Sequence, residues 1–580
     1  MLSGRHNFGG DNTCLSPVII MIIRLLSILL LAGSLSSTAF AQAQSTQSIP
    51  DSTAKKIDAL FSRWNSTSGP GCAIGIVRGD SLIYSKGFGL ANLEYGIPNS
   101  PETIFHIASV SKQFTGYAIV LLASQGKLKL DDDVRQYLKW FPDLKAKITI
   151  RQLLNHTSGI RDQWQLLAIA GTRLDDVIKQ DQITKILSGQ QALNFKPGEK
   201  YTYSNSGYTM LAEIVKVVSG KSLRQYTDSA IFKPLGMSST HFHDDYTEIV
   251  KNRASSYDNN NGKFSNSILS YSTTGATSLF TTVKDMSKWL MNFYQPKAGT
   301  AGDITTLTTV GKLNDGQVLD YALGIMNRPY KGETRYVHNG SDAGFRTAIS
   351  IYPELKMGFV VFGNVSDFNS NTVNEMAALF IKDKTVGKTT APAAPDSSKA
   401  VLNNLAAAGR FTGNYLQDDG TKHYFILNSN KLYWEGYGRK ELLVPAKNDT
   451  FQVISNPQIK FHFTTGKSGI RSVKECWPGG RNFTRYTLQP KLTPAELKTY
   501  IGRYYSPELD CSYEIKLKDG SLILTNAKYE DMPVKLTTRD HMDTGFWWME
   551  HSKIIRNSKQ QIIGFEINCD RVEHLRFNKM

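Results

Sequence analysis

Cysteine is scarce in this chain, and its few copies form no recognisable metal site. Cys14, Cys72, Cys476, Cys511 and Cys569 are scattered through 580 residues. None falls in a C-x-x-C pair or a Cys/His ligand spacing, so no metal is expected. In an oxidising compartment the spacing allows one disulfide among Cys476, Cys511 and Cys569, with free buried thiols as the alternative. Long apolar runs are also missing, since the one candidate, Leu25 to Leu35, is too short to cross a bilayer. Nucleic-acid motifs and Arg-rich clusters are absent too. The net charge of +16, from 67 basic and 51 acidic residues, therefore reads as a solvated basic surface. Contact with anionic cell-envelope polymers is the partner it leaves open.

The short apolar run reads instead as an export signal. Arg24 precedes it, Ala39-Phe40-Ala41 gives a small-x-small cleavage site before Gln42, and no cysteine follows at a lipoprotein position. Residues 1–41 are thus expected to be an N-terminal extension and signal peptide, with Met21 as the true start. The mature protein is expected to be soluble, without a membrane anchor, and periplasmic or secreted. A length of 580 residues exceeds one ordinary core, so two or three domains are expected. Residues 386–406, with Thr-Thr-Ala-Pro-Ala-Ala-Pro inside, read as a linker. Beyond it come short alternating strands and many turns. A faint echo runs through them: Gly413-Asn414-Tyr415 returns as Gly502-Arg503-Tyr504, and Tyr424 as Tyr513, at a shift of 89 residues. Two β-barrel-like modules follow from this, at 407–489 and 490–580.

The first half carries the chemistry. A short helix is expected over 51–65, then strand-turn-strand from Gly71 to Tyr84, and a mostly helical stretch over 172–191. In the run from Phe105 to Gly116, Ser109 and Lys112 form S-x-x-K at the opening of an apolar helix closed near Gly126. Residues i and i+3 share a helix face, so the amine can reach the hydroxyl. Free N–H groups at a helix start suit an oxyanion, and a serine becomes a nucleophile when a neighbouring base takes its proton. Alone, the pattern fits a capping serine and a solvated lysine equally well. Tyr203-Ser204-Asn205 lies on a loop after Pro197-Gly198 and before a helix from about 206 to 219, closed by Gly220. Tyr203 serves as a base only if its pKa falls from near 10, which a nearby ammonium favours. Finally, His338-Asn339-Gly340-Ser341 precedes strands at 347–353 and 357–363, with Gly340 allowing close backbone approach to a ligand.

In this order, S-x-x-K at Ser109/Lys112, Y-x-N at Tyr203/Asn205 and H-x-G at His338/Gly340 resemble the serine β-lactamase and penicillin-binding-protein superfamily. The similarity is to its class C-like branch of esterases, D-aminopeptidases and β-lactamase-related proteins. It covers about residues 50–385, with support from Leu153-Leu154-Asn155-His156-Thr157-Ser158-Gly159, Lys233-Pro234-Leu235-Gly236-Met237 and Thr274-Gly275-Ala276-Thr277-Ser278. The resemblance implies an α+β, β-lactamase/transpeptidase-like fold. An antiparallel sheet is flanked by helices and a helical subdomain, followed by one or two lipocalin-like antiparallel barrels. It further implies Ser109 as the nucleophile of an acyl-enzyme, with Lys112 and Tyr203 as a shared acid/base pair and no cofactor. Asn205 would orient the lysine or a substrate amide. The backbone N–H groups of Ser109 and Ser341 would form the oxyanion hole, and His338, Asn339 and Gly340 would line the substrate.

His338 departs from the pattern, because β-lactamases and transpeptidases usually place there a lysine that holds a substrate carboxylate. A histidine is only partly protonated at neutral pH and grips an anion weakly. The expected function is therefore an exported serine hydrolase acting on a small ester or a D-amino-acid-containing peptide or amide. A β-lactamase or D-Ala-D-Ala carboxypeptidase is the second reading. A catalytically silent envelope-binding protein is the third, and the intact Ser109, Lys112 and Tyr203 set weighs against it. For the barrels, the choice is between shaping access to the cleft and a purely stabilising or oligomerising role.

Overall fold

The structure, a computed structural model, describes residues 46–384 and 409–580, apart from 418–419, 437–438, 447, 458, 467–470, 477–481 and 487–491. The expected leader at 1–41 and linker at 386–406 lie outside the described residues. The first half is built on a seven-stranded antiparallel sheet in the order Thr46–Gln47, Ser81–Phe88, Cys72–Arg78, Met357–Gly363, Phe345–Tyr352, Tyr336–Asp342, Met326–Asn327. Its middle strands are apolar along nearly their whole length because both faces are covered: all of Met357–Gly363 is buried, and so is Cys72–Val77. The Asp51–Leu60 and Thr372–Ala378 helices pack on one face with Ile57, Phe61 and Phe359, and the Val283–Asn292 helix covers the other.

The helix Lys112–Ser124 lies between the sheet and a lobe of shorter helices. It is apolar on every side, which suits a central helix and no surface one. Phe114 and Tyr117 pack on Trp289, at ring separations of 4.5 and 5.2 Å, and the Asn205–Ser219 helix packs alongside. From Phe105 to Leu122 every residue is buried except Ser109. The expected helix over 172–191 is shorter than its pattern suggests. Helix is confined to Gln180–Ser188, because Arg173 to Asp176 forms a turn and Ile178–Lys179 is drawn into a parallel pairing with Tyr271–Ser272.

The C-terminal part contains a closed eight-stranded antiparallel barrel, from Gly413–Gln417 to Asn482–Tyr486, and a nearly closed nine-stranded antiparallel sheet, from Gly502–Ser506 to Val572–Lys579. The echo between them is physical at its start. Gly413 and Gly502 both take a positive φ (140° and 149°), and the hydroxyls of Tyr415 and Tyr504 donate to the carbonyls of Phe411 and Tyr500, each four residues back. The match of Tyr424 with Tyr513 does not survive. Tyr415 pairs with His423 whereas Tyr504 pairs with Tyr513, so the buried counterpart of Tyr513 is His423. One residue of slip moves a side chain to the other face of a strand.

Cys72, Cys476, Cys511 and Cys569 are all free thiols, so the disulfide alternative is not formed. No helix among the described residues is long and apolar enough to cross a membrane. The nine-stranded sheet docks on the first half through Arg161, which is wholly buried and donates to the Glu508 carboxylate at 2.8 and 3.0 Å and to the carbonyls of Ala192, Glu573 and His574. The hydroxyls of Tyr513 and Tyr529 add bonds to the carbonyls of Ile169 and Ala168.

Candidate active site

Ser109 stands on a one-turn 3-10 helix, Ala108–Ser111, that runs directly into the buried Lys112–Ser124 helix. Ala108 is buried and held at φ 49°, a left-handed conformation that costs a non-glycine residue energy. This bend leaves the next side chain, Ser109, facing the open cleft. One turn on, the Lys112 ammonium is buried and donates to Ser109 Oγ at 3.1 Å, Asn205 Oδ1 at 2.9 Å and the Ala276 carbonyl at 2.7 Å. Three donors meet three acceptors. Burial pulls the Lys112 pKa down to about 7, with Arg571 adding to the fall and Asp162 and Asp342 opposing it. An amine that titrates near neutrality beside a hydroxyl is equipped to be its base.

Asn205 is fixed by a residue that sequence reading missed. Asp162 Oδ2 accepts from both the backbone N–H of Asn205, at 2.7 Å, and its side-chain Nδ2, at 2.8 Å. The amide can therefore present only its oxygen to Lys112. Asp162 also caps the Gln163–Ile169 helix, accepting from Trp164 N, and a lone Asp before an apolar helix suggests no more than that. The Leu153–Gly159 stretch has a positioning task. The His156 carbonyl and Nδ1 accept from the backbone N–H groups of Thr202 and Ser204, which hold the Tyr203 loop from both sides. The His156 ring lies 4.2 Å from that of Tyr203, and burial keeps it neutral.

Two expectations about protonation are corrected. Burial raises the Tyr203 pKa well above 10, against weaker pulls from Ser109 and Arg571. Its phenol thus stays protonated, although the Lys112 nitrogen lies 4.9 Å from its ring centre. His338 was expected to be partly protonated, but burial, helped by the Lys112 charge, pulls its pKa down to about 3. Nδ1 donates to the Asn339 carbonyl at 2.7 Å, which leaves Nε2 to accept from the Tyr321 hydroxyl at 2.9 Å. A neutral ring with both nitrogens occupied is no anion grip.

The strand Tyr336–Asp342 packs along the Ser109 turn. Gly340 makes this possible, since a Cβ there would sit 2.5 Å from the Ile107 carbonyl and collide with the Thr347 hydroxyl. Thr347 itself donates to that carbonyl at 2.9 Å. Ser109, Tyr203, Asn205, His338, Asn339, Gly340 and Ser341 all line one cleft of about 750 Å³, with Lys112 at its floor. Gly340→Ala is expected to push the strand edge away from Ser109 and lower kcat by about 100-fold, the cost of an ångström-scale misplacement. Steady-state kinetics on a variant with an unchanged circular-dichroism spectrum checks this, and a loss under threefold would contradict it.

The far wall comes from turns of the nine-stranded sheet, in keeping with the first of the two roles weighed for the C-terminal modules, although its residues were not singled out. Trp547, Glu550, Asp570 and Arg571 line the same cleft. The signal in the sequence was a polar pair, Asp570-Arg571, between apolar strands. It marks a hairpin turn but not its destination.

Comparison with known proteins agrees with this geometry. A family model described as Beta-lactamase matches residues 56–381. Penicillin-binding protein 4* of Bacillus subtilis (strain 168) is 26% identical over 412 residues, covering 68% of this chain and 90% of its own. A D-aminopeptidase of Brucella anthropi is 28% identical over 280 residues, 48% of this chain and 53% of its own, so that match spans about half of the relative. Among solved structures, an octameric penicillin-binding protein homologue from Pyrococcus abyssi superposes with a TM-score of 0.51 at 25% identity, covering 75% of this chain and 99% of its own.

Proposed function

Because this chain belongs to the beta-lactamase family and is a serine hydrolase of that kind, we propose that it is an exported enzyme forming an acyl-enzyme on Ser109. Its substrate is a small ester or a D-amino-acid-containing peptide or amide. The observation that carries this is the buried Lys112 amine, bonded to Ser109 Oγ and poised near pH 7. In its neutral form Lys112 takes the Ser109 proton as Oγ bonds to the substrate carbonyl carbon. The oxyanion is met by the backbone N–H groups of Ser109 and Ser341, each such donor being worth about 3–4 kcal/mol in the transition state. Tyr203, a neutral phenol, gives its proton to the leaving group and recovers one from the Lys112 ammonium. Water then releases the acyl group by the reverse proton path.

The D-aminopeptidase relative supports the D-amino-acid part of the reading, and the pattern of residues 21–42 supports export. A reaction with a fluorophosphonate and a substrate panel tests it. Expected are a mass adduct on Ser109 and turnover of p-nitrophenyl acetate, p-nitrophenyl butyrate or D-alanine p-nitroanilide ahead of the L-anilide. Rapid nitrocefin cleavage would replace this reading by a β-lactamase. Neither adduct nor turnover would leave a binding protein.

A further inference from the structure

Away from the cleft, His241-Phe242 forms a short strand paired with Leu279–Thr281, and His243 continues it by donating its backbone N–H to the Ser278 carbonyl at 2.8 Å. Side chains alternate along an extended chain. Phe242 is buried in the core, and the two imidazoles meet Glu248, which reaches them from the following loop. His241 Nε2 lies 3.4 Å from His243 Nδ1, and Glu248 Oε2 lies 4.0 Å from the first and 3.6 Å from the second. At more than about 3.2 Å the nitrogen pair is a poor hydrogen bond. It is close to the separation of about 3.3 Å between two nitrogens on one tetrahedral zinc ion. The three atoms also share a point about 2.1 Å from each, the length of a zinc–nitrogen or zinc–carboxylate bond.

The donors are in the state a metal needs. Burial holds both imidazoles unprotonated at neutral pH, His243 down to about 4. Arg224 keeps Glu248 ionised, donating to its two oxygens at 2.8 and 2.7 Å and to Asp244 at 2.9 Å. It thereby fixes the carboxylate that faces the rings, as groups behind a metal ligand commonly do. A second cation, Arg253, lies over Phe280, the ring stacked on His243. Three carboxylates, Asp244, Asp245 and Glu248, outweigh these two guanidinium groups. His243 is buried while His241 and Glu248 are half-buried, which gives an ion a path from solvent and room for a water ligand.

We propose that His241, His243 and Glu248 bind one divalent transition-metal ion, with zinc the ion their spacing fits. The ion is structural. It pins the loop that carries Glu248 to a three-stranded sheet whose far strand, Phe105–His106, leads into the Ser109 turn. The expectation of no metal rests on the cysteines, and a His-x-His pair with a loop carboxylate uses none.

The experiment titrates zinc chloride into the untagged, chelator-treated full chain by calorimetry, with thermal melting in parallel. Expected are one ion per chain, micromolar or tighter affinity, and a melting temperature that climbs with free zinc. His241→Asn and Glu248→Gln should each weaken binding by about 100-fold and abolish the climb. Cobalt in place of zinc should give visible absorption bands that both variants lack. A cluster that only packs and hydrogen-bonds would lower ion-free melting in the variants and leave the zinc response as it was. That result, the lack of a one-to-one complex, or zinc affinity kept in either variant would overturn the proposal.

Discussion

Lys112→Met is expected to lower kcat/KM by roughly 10³-fold on any substrate the enzyme turns over, and to remove the acidic limb of its pH profile. The amine is the one group bonded to Ser109 Oγ that changes protonation near neutrality, its pKa drawn down to about 7 by burial. Tyr203 and His338 are pushed away from neutrality in opposite directions, the phenol staying protonated and the imidazole unprotonated. The active form is the free amine. Wild-type kcat/KM should therefore rise about tenfold per pH unit below 7 and level off above it, since the fraction of free amine follows the pKa. Methionine keeps the shape of the side chain and removes the base. It also leaves Asn205 Oδ1 and the Ala276 carbonyl without their donor, a loss of about 1–3 kcal/mol of stability for each buried acceptor. Thermal melting separates that loss from the chemistry. A variant that keeps a limb near pH 7, or loses less than tenfold, would show that another group takes the Ser109 proton.

The residues of this centre were legible in the sequence wherever the chemistry is short-range. Ser109 and Lys112 lie one helical turn apart, so their contact follows from helix geometry. Gly340 could be read from the need for close approach, and the Ile107 carbonyl is what approaches. What the sequence hid was environment. Tyr203 lies near Lys112, as expected, but its pKa is decided by burial under His156, Tyr321 and Arg571, and those neighbours come from distant segments. His338 looks like a ligand-facing histidine until the Tyr321 hydroxyl closes its second nitrogen. The same holds for the far wall. Asp570-Arg571 announces a turn, but only the docking of one sheet on another brings it within reach of Tyr203. The slip between Tyr424 and Tyr513 is a smaller case, where a repeat in letters had lost one residue of register in space.

That docking turns on Arg161, and Arg161→Met is expected to destabilise the contact between the two halves by about 3–5 kcal/mol. The side chain is wholly buried and joins three segments, donating to Glu508, to Ala192 O, and to the carbonyls of Glu573 and His574 on the last hairpin. Methionine fills the space but leaves the Glu508 carboxylate buried without its counter-charge. Burial already raises the Glu508 pKa, and Arg161 pulls it back. Without Arg161 that pKa rises further, so the cost is greatest where Glu508 is ionised and shrinks as the pH falls and Glu508 takes up a proton. Glu508→Leu added to Arg161→Met should recover part of the loss, because the stranded charge is then gone. Thiol labelling reads the interface itself. Cys511, whose sulfur faces the Ile169 carbonyl across it, should react slowly in the wild type and quickly in Arg161→Met, while the exposed Cys476 reacts alike in both. Because the Arg161 carbonyl accepts from Ser206 Oγ and its neighbour Asp162 holds Asn205, loosening the interface should also lower kcat. A variant with unchanged melting, unchanged Cys511 labelling and full activity would mean that the nine-stranded sheet is held in place by its tyrosine and Asn194 contacts alone.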